Sequence, residues 1–159
     1  MQVSFRYTKA AAAGFYGDGP APETAGSAAF DLIAVLDEPV TLICQAPPVL
    51  ISSGIALDMS AHPGICALVL PRSGNGHKKG LVLGNTVGLI DSDYQGDIMV
   101  SAWNRNPPED AARDLVVSPG DRIAQLMFVP VLHPTLSRVA DFTDETARGA
   151  GGFGSTGHS

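Results

Sequence analysis

Short apolar runs recur along the chain, each bounded by turn-forming residues. Residues 3–7, 29–34, 40–43, 49–57, 65–70, 81–83, 98–103, 115–117 and 123–132 are rich in Val, Ile, Leu and aromatic side chains. Between them lie clusters such as Ala46-Pro-Pro48, Ala61-His-Pro-Gly64 and Ser118-Pro-Gly-Asp121. Short runs at close spacing, punctuated by Pro and Gly, predict an all-β sandwich or jelly roll rather than alternating βαβ units. No window of a dozen residues keeps a clean 3.6-residue period. The best helical candidate, 107–115, is short and reads better as a surface excursion. From residue 144 onward the chain is glycine-rich and offers almost nothing to pack. The pattern therefore divides into a β domain over 1–143 and a C-terminal arm over 144–159, which is either a frayed end or a mobile segment that orders over a ligand.

Composition narrows the function classes. A chain of 159 residues fits one domain. Its net charge of −6 argues against a nucleic-acid partner, which needs a basic face to displace counterions, but not against a small phosphate-bearing ligand. Charged residues make up 16% against 45% hydrophobic, leaving surface to bury between copies of the chain. Cys44 and Cys66 have no metal-binding spacing, and read as two buried thiols or a single disulfide. The first residues lack a basic stretch followed by an apolar run, so no signal peptide is expected. No segment approaches the roughly 18 apolar residues of a membrane span. A cytoplasmic protein is the resulting expectation.

Several familiar motifs fail on inspection. Gly149-Ala-Gly151-Gly-Phe-Gly154 matches the dinucleotide fingerprint only formally, because no strand precedes it and no helix can follow. The stretch Gly74-Asn-Gly-His-Lys-Lys79 lacks the Gly that a Walker loop places before its Lys. A nucleophile elbow is absent, and the four histidines have no metal-ligand spacing. Five polar clusters survive: Ala25-Gly-Ser-Ala-Ala-Phe-Asp31-Leu; Leu70-Pro-Arg72-Ser73-Gly74; Gly84-Asn85 through Asp91-Ser-Asp93-Tyr94-Gln-Gly96; Gly120-Asp-Arg-Ile-Ala-Gln125-Leu; and Arg148-Gly-Ala-Gly-Gly-Phe153-Gly-Ser155-Thr-Gly157.

In these five clusters, in this order and at this spacing, the sequence resembles the homotrimeric dUTP pyrophosphatase (dUTPase) family over nearly the whole chain. The resemblance implies a jelly-roll-like β-barrel or sandwich with little helix and a flexible C-terminal arm. It also implies a reaction, dUTP plus water giving dUMP and pyrophosphate, with Mg²⁺ on the triphosphate. Such an activity keeps uracil out of DNA and supplies dUMP for thymidylate synthesis. Asp91 then positions and activates the attacking water; on its own it reads equally as a turn aspartate, a role that suits Asp93 better. Arg72, Ser73 and Gly74 leave an apolar strand and offer a guanidinium fork, a hydroxyl and backbone amides to phosphate oxygens. Gln125 is a phosphate contact or a water-holding amide, or simply a strand-edge carboxamide. Asp31 touches the metal through water, or makes an ordinary structural hydrogen bond.

The hairpin around the third cluster is implied to select base and sugar. Asn85, Leu89, Ile90 and Met99 surround uracil, whose two acceptors and one donor suit a carboxamide and strand backbone. There cytosine is refused by donor–acceptor mismatch. Tyr94 leaves no room for a 2′-hydroxyl. In the arm, Arg148 reaches the phosphates, Phe153 stacks on the base, and Gly154, Ser155 and Thr156 close over the nucleotide, in the family on a neighbouring subunit's site. The implied partners are dUTP and two further copies of the chain, with no nucleic acid and no membrane. The related dCTP deaminases need a Glu after the hairpin, where this chain has Ser101. Departures from the family pattern are the long stretch 104–117 and the residues Phe30 and Asn75, none of which supplies a catalytic group.

Overall fold

The computed structural model describes residues 1–108, 113–144 and 146–152. Its strands are β1 (Ser4–Tyr7), β2 (Phe30–Ile33), β3 (Val40–Leu42), β4 (Val49–Ser52), β5 (Ile55–Asp58), β6 (Ile65–Leu70), β7 (Leu81–Leu83), β8 (Gly88–Ile90), β9 (Met99–Asn104), β10 (Leu115–Val117) and β11 (Arg122–Pro130). Two one-turn segments interrupt them, helix α1 (Ala12–Tyr16) and a π-turn at Asn75–Lys79. A four-stranded sheet runs β2-β11-β6-β8 and a three-stranded sheet β4-β9-β7, with the pairs β1-β5 and β10-β3 beside them; all pairings are antiparallel. The all-β expectation is met.

Alternation explains the core. In β9 the side chains of Val100, Ala102 and Asn104 are buried, while Met99, Ser101 and Trp103 take the opposite face. Leu32, Ile51 and Leu126 from the two larger sheets join Ile55 of β5 and the loop residues Met59 and Ile98 in one buried cluster. Asn104 is a polar member of the interior, and its amide is satisfied by the carbonyls of Leu42 and Arg113, both at 2.9 Å.

The structure corrects some details of the sequence pattern. The run 49–57 is two strands, because Ser53-Gly54 turns a corner with Gly54 at φ +71°. A Cβ there would lie 2.7 Å from Val35 Cγ2 and 2.8 Å from Ala12 Cβ, so only glycine fits. The corner sends β4 to pair with β9 and β5 to pair with β1. Strand β8 opens on Gly88 inside the third polar cluster and carries only two apolar residues, so it does not stand out as a run, and the run 123–132 ends as a strand at Pro130. The helical candidate 107–115 falls partly on 109–112, outside the described residues, and its last residue, Leu115, opens a strand instead. Cys44 and Cys66 are both buried and form no disulfide, which decides between the two readings.

After β11 the described chain forms no strand or helix as far as residue 144, and Leu132, Leu136 and Phe142 are 86–90% exposed. Among the described residues no helix is long and apolar enough to cross a membrane.

Candidate active site

Strand register assembles the first part of the site. In the antiparallel sheet Gln125 of β11 is directly opposite Asp31 of β2 on one side and Leu70 of β6 on the other. Directly opposed residues share a face, so Asp31, Gln125 and the exit of β6 form one row. Two residues past Leu70, Arg72 turns back over that row. Its Nε donates to Asp31 Oδ1 at 2.6 Å and its Nη2 to Oδ2 at 3.2 Å, a forked pair that fixes the guanidinium plane. Gln125 Nε2 donates to the Pro71 carbonyl at 3.0 Å, tying the loop that carries Arg72, Ser73 and Gly74 to β11. Asp31, Arg72, Ser73, Gly74 and Gln125 line one cleft of about 650 Å³.

The second part lies elsewhere on the chain. Asp91 follows β8 and is exposed, and its carbonyl accepts from Tyr94 N at 3.1 Å, closing the turn between β8 and β9. Asp91 and Leu89 line a different cleft, of about 550 Å³, with Asp93, Cys66 and His133. Leu89, Tyr94 and Met99 are 62%, 44% and 40% exposed, while Ile90 packs on the core. The Tyr94 hydroxyl donates to the Asp97 carbonyl at 3.1 Å, which folds the ring back over the turn. Asn85 is exposed at the start of the hairpin, its carbonyl held by Val87 N and Thr86 Oγ1 at 2.7 and 2.6 Å. Within a single chain, then, the Arg72 group and the Asp91 group line two clefts and not one.

Of the arm residues, Arg148 is exposed and donates from Nε to its own neighbour's carbonyl, Gly151 O, at 2.9 Å. It does not line the Arg72 cleft. Phe153, Gly154, Ser155 and Thr156 lie outside the described residues.

The structure adds residues that sequence reasoning passed over. Arg122 reaches Asp31 Oδ2 at 3.2 Å and Glu23 Oε2 at 3.4 Å, so the Asp31 carboxylate lies between two guanidiniums. The signal for Arg122 was its place in the fourth cluster, three residues before Gln125. Phe15, Tyr16 and Glu23 also line this cleft, and no motif marked them. Burial pushes the Tyr16 phenol up to about 12, with the nearby carboxylates of Asp97 and Asp31 adding to the rise against a backbone hydrogen bond from Ile33.

The dUTPase family model matches residues 16–157. The chain belongs to the dUTPase family. The deoxyuridine 5′-triphosphate nucleotidohydrolase of Burkholderia thailandensis is 54% identical over 138 residues, covering 87% of this chain and 88% of that protein. The Hahella chejuensis enzyme of the same name is 54% identical over 138 residues, 87% of this chain and 86% of that one. A variant of the Staphylococcus bacteriophage 80alpha dUTPase solved with dUpNHpp has a TM-score of 0.79 at 23% identity, covering 99% of each chain. The phage phi11 dUTPase of S. aureus, solved with a structural Mg(II) ion, has a TM-score of 0.75 at 22% identity, covering 89% of this chain and 99% of that one. At those identities the phage structures speak for the fold, which the dUTPase chain shares.

Proposed function

We propose that this dUTPase-family chain is a dUTP diphosphatase, hydrolysing dUTP to dUMP and pyrophosphate as a cytoplasmic homotrimer. The observation that carries the reading is the row of Asp31, Gln125 and Arg72. A guanidinium already locked by a carboxylate, beside a carboxamide and the amides of a Ser-Gly turn, suits the oxygens of a triphosphate. Asp91, exposed at a tight turn, is the carboxylate for the attacking water. In the reaction Asp91 takes a proton as the water oxygen bonds to the α-phosphorus, and the bond to the bridging oxygen breaks to release pyrophosphate. Arg72, Ser73, Gly74 and Gln125 hold the charge that moves onto the leaving group.

The residues fit a magnesium ion carried by the substrate. Both Asp31 oxygens are engaged by guanidiniums, which favours contact with an ion through water over direct ligation. Among the described residues no group of three or more His, Cys, Asp or Glu could cage a metal. Mg²⁺ typically keeps several waters and binds one or two carboxylates together with phosphates, which is the arrangement this donor set allows. When bound, the ion neutralises the triphosphate.

The division into two clefts supports a site completed between subunits, with the Asp91 hairpin of one chain facing the Arg72 cleft of another. Exposed Leu50, Ile43 and Val116 offer apolar surface for that contact. On this reading Asn85, Leu89, Ile90 and Met99 hold the uracil, Tyr94 faces the sugar, and Arg148, Phe153, Gly154, Ser155 and Thr156 close the site from a neighbouring arm over residues 144–159.

A nucleotide panel tests the proposal. With Mg²⁺, dUTP should release pyrophosphate at least about 100-fold more efficiently than UTP, dCTP or dTTP, since the pocket rejects cytosine by donor–acceptor mismatch, Tyr94 leaves no room for a 2′-hydroxyl, and the hairpin leaves none for the methyl of thymine. Ammonia from dCTP, or no pyrophosphate from dUTP, would overturn it.

A further inference from the structure

Strand β2 carries Asp31 but is the edge of its sheet, paired on one side only by β11. An edge strand exposes alternate backbone groups that need other partners. Beyond Asp31, at Ile33, the partner is a side chain. Tyr16 Oη accepts the Ile33 N–H at 2.8 Å and donates to the Ser53 carbonyl at 3.0 Å. Ser53 is fully buried at the corner between β4 and β5. On the other side of Asp31, Pro22 bridges to Phe30. Asp31 is thus held between two ties.

The place matters because the ladder is irregular there. Ile33 is opposite Arg122 and Leu32 opposite Ala124, so the register shifts between Arg122 and Ala124. Such an irregularity leaves a residue of the ladder unpaired and bends the strand, so the direction of nearby side chains depends on contacts outside the ladder. Arg122 and Asp31, the two residues that meet across this irregularity, form an ion pair at 3.2 Å. We propose that Tyr16 is a positioning residue of the phosphate cleft, its phenol acting as a strut between Ser53 and Ile33 that holds Asp31 in reach of Arg72 and Arg122.

The ring is fixed in turn, half-buried and stacked on Tyr7 with centroids 6.3 Å apart. A phenol keeps its proton throughout the neutral range, and burial holds that proton further still, so the strut keeps both hydrogen bonds there. The role rests on the assignment of Asp31 to the phosphate side of the site.

The test compares Tyr16→Phe with Tyr7→Phe, which removes a phenol of the same size from the same aromatic pair, and with Asp31→Asn. Affinity for dUpNHpp is measured by calorimetry with Mg²⁺ present, alongside KM, kcat and thermal midpoint. Tyr16→Phe should weaken analogue binding and raise KM about five- to tenfold, with kcat at saturation within about twofold, the low end of what outer-shell substitutions cost. Tyr7→Phe loses its own hydrogen bond to the Gly17 carbonyl at 2.7 Å, so its thermal midpoint should fall, but its analogue affinity, KM and kcat should match the wild type. Analogue affinity within twofold of wild type in Tyr16→Phe, or an equal loss in Tyr7→Phe, overturns the strut. Unchanged affinity in Asp31→Asn overturns instead the site assignment beneath it. Amide exchange in the wild type gives a measurement independent of how well the variant folds. Ile33 should be protected like the amides that β2 donates to β11, and free exchange at Ile33 overturns the strut.

Discussion

Asp31 shows how much one side chain can be asked to do. Its two oxygens take a forked pair from Arg72 and a third contact from Arg122, so it orients both cations before any phosphate arrives. Asp91 is its opposite, an exposed carboxylate at a turn, available to water. Asp91→Asn keeps the shape and removes the basicity. It should lower turnover by about 100-fold or more while dUpNHpp still binds, as expected for loss of a general base. A kcat near that of the wild type would remove Asp91 from the chemistry. Tyr16 makes a prediction in pH. Its folded pKa, pushed by burial to about 12, stands above the 10.0 of a free phenol, so the unfolded chain releases this proton first. The stability it contributes is whole below pH 10 and is lost as pH rises towards 12. Urea midpoints of the wild type should fall more steeply between pH 10 and 12 than those of Tyr16→Phe, and parallel curves would contradict the buried phenol.

Elements formed where the pattern was long enough to see, and failed to show where three-dimensional contact decides. The stretch Val49-Leu-Ile-Ser-Ser-Gly-Ile-Ala-Leu57 reads as one strand because every residue in it is apolar or small. What breaks it is the approach of Val35 and Ala12 to Gly54, two neighbours far away in sequence. Gly54→Ala should cost about 2–4 kcal/mol, through a strained positive φ and overpacking together. Chemical denaturation measures it, and a loss below about 0.5 kcal/mol would mean the corner relaxes. Of the candidate site, Asp31, Arg72 and Gln125 each have an ordinary structural reading alone, and stand out only because their clusters resemble those of a family. Tyr16 does not, since its hydroxyl works through backbone partners 17 and 37 residues away. Nor could spacing show that Asp91 and Arg72 line different clefts, which depends on where β6 and β8 leave the sheet.

At the scale of the molecule, separate clefts make a prediction that no single chain can satisfy. Arg72→Ala and Asp91→Asn should each be nearly inactive alone. Co-expressed in equal amounts and allowed to mix, they should recover roughly a quarter of wild-type activity, because a shared site then pairs an intact cleft with an intact hairpin by chance. No recovery on mixing would place both residues in one chain's site. The pairing of Arg72 and Arg122 with Asp31 and Glu23 has a further consequence. Two positive and two negative groups leave the resting cleft electrically silent, so it draws a triphosphate from solution hardly at all by long-range attraction. Asp31 takes only Nε and Nη2 of Arg72, so on the proposed reading the remaining guanidinium N–H groups meet phosphate oxygens at contact while Asp31 stays in place. A site of this kind would recognise its ligand by the direction in which its donors are held more than by its field, and its association rate should change little with ionic strength.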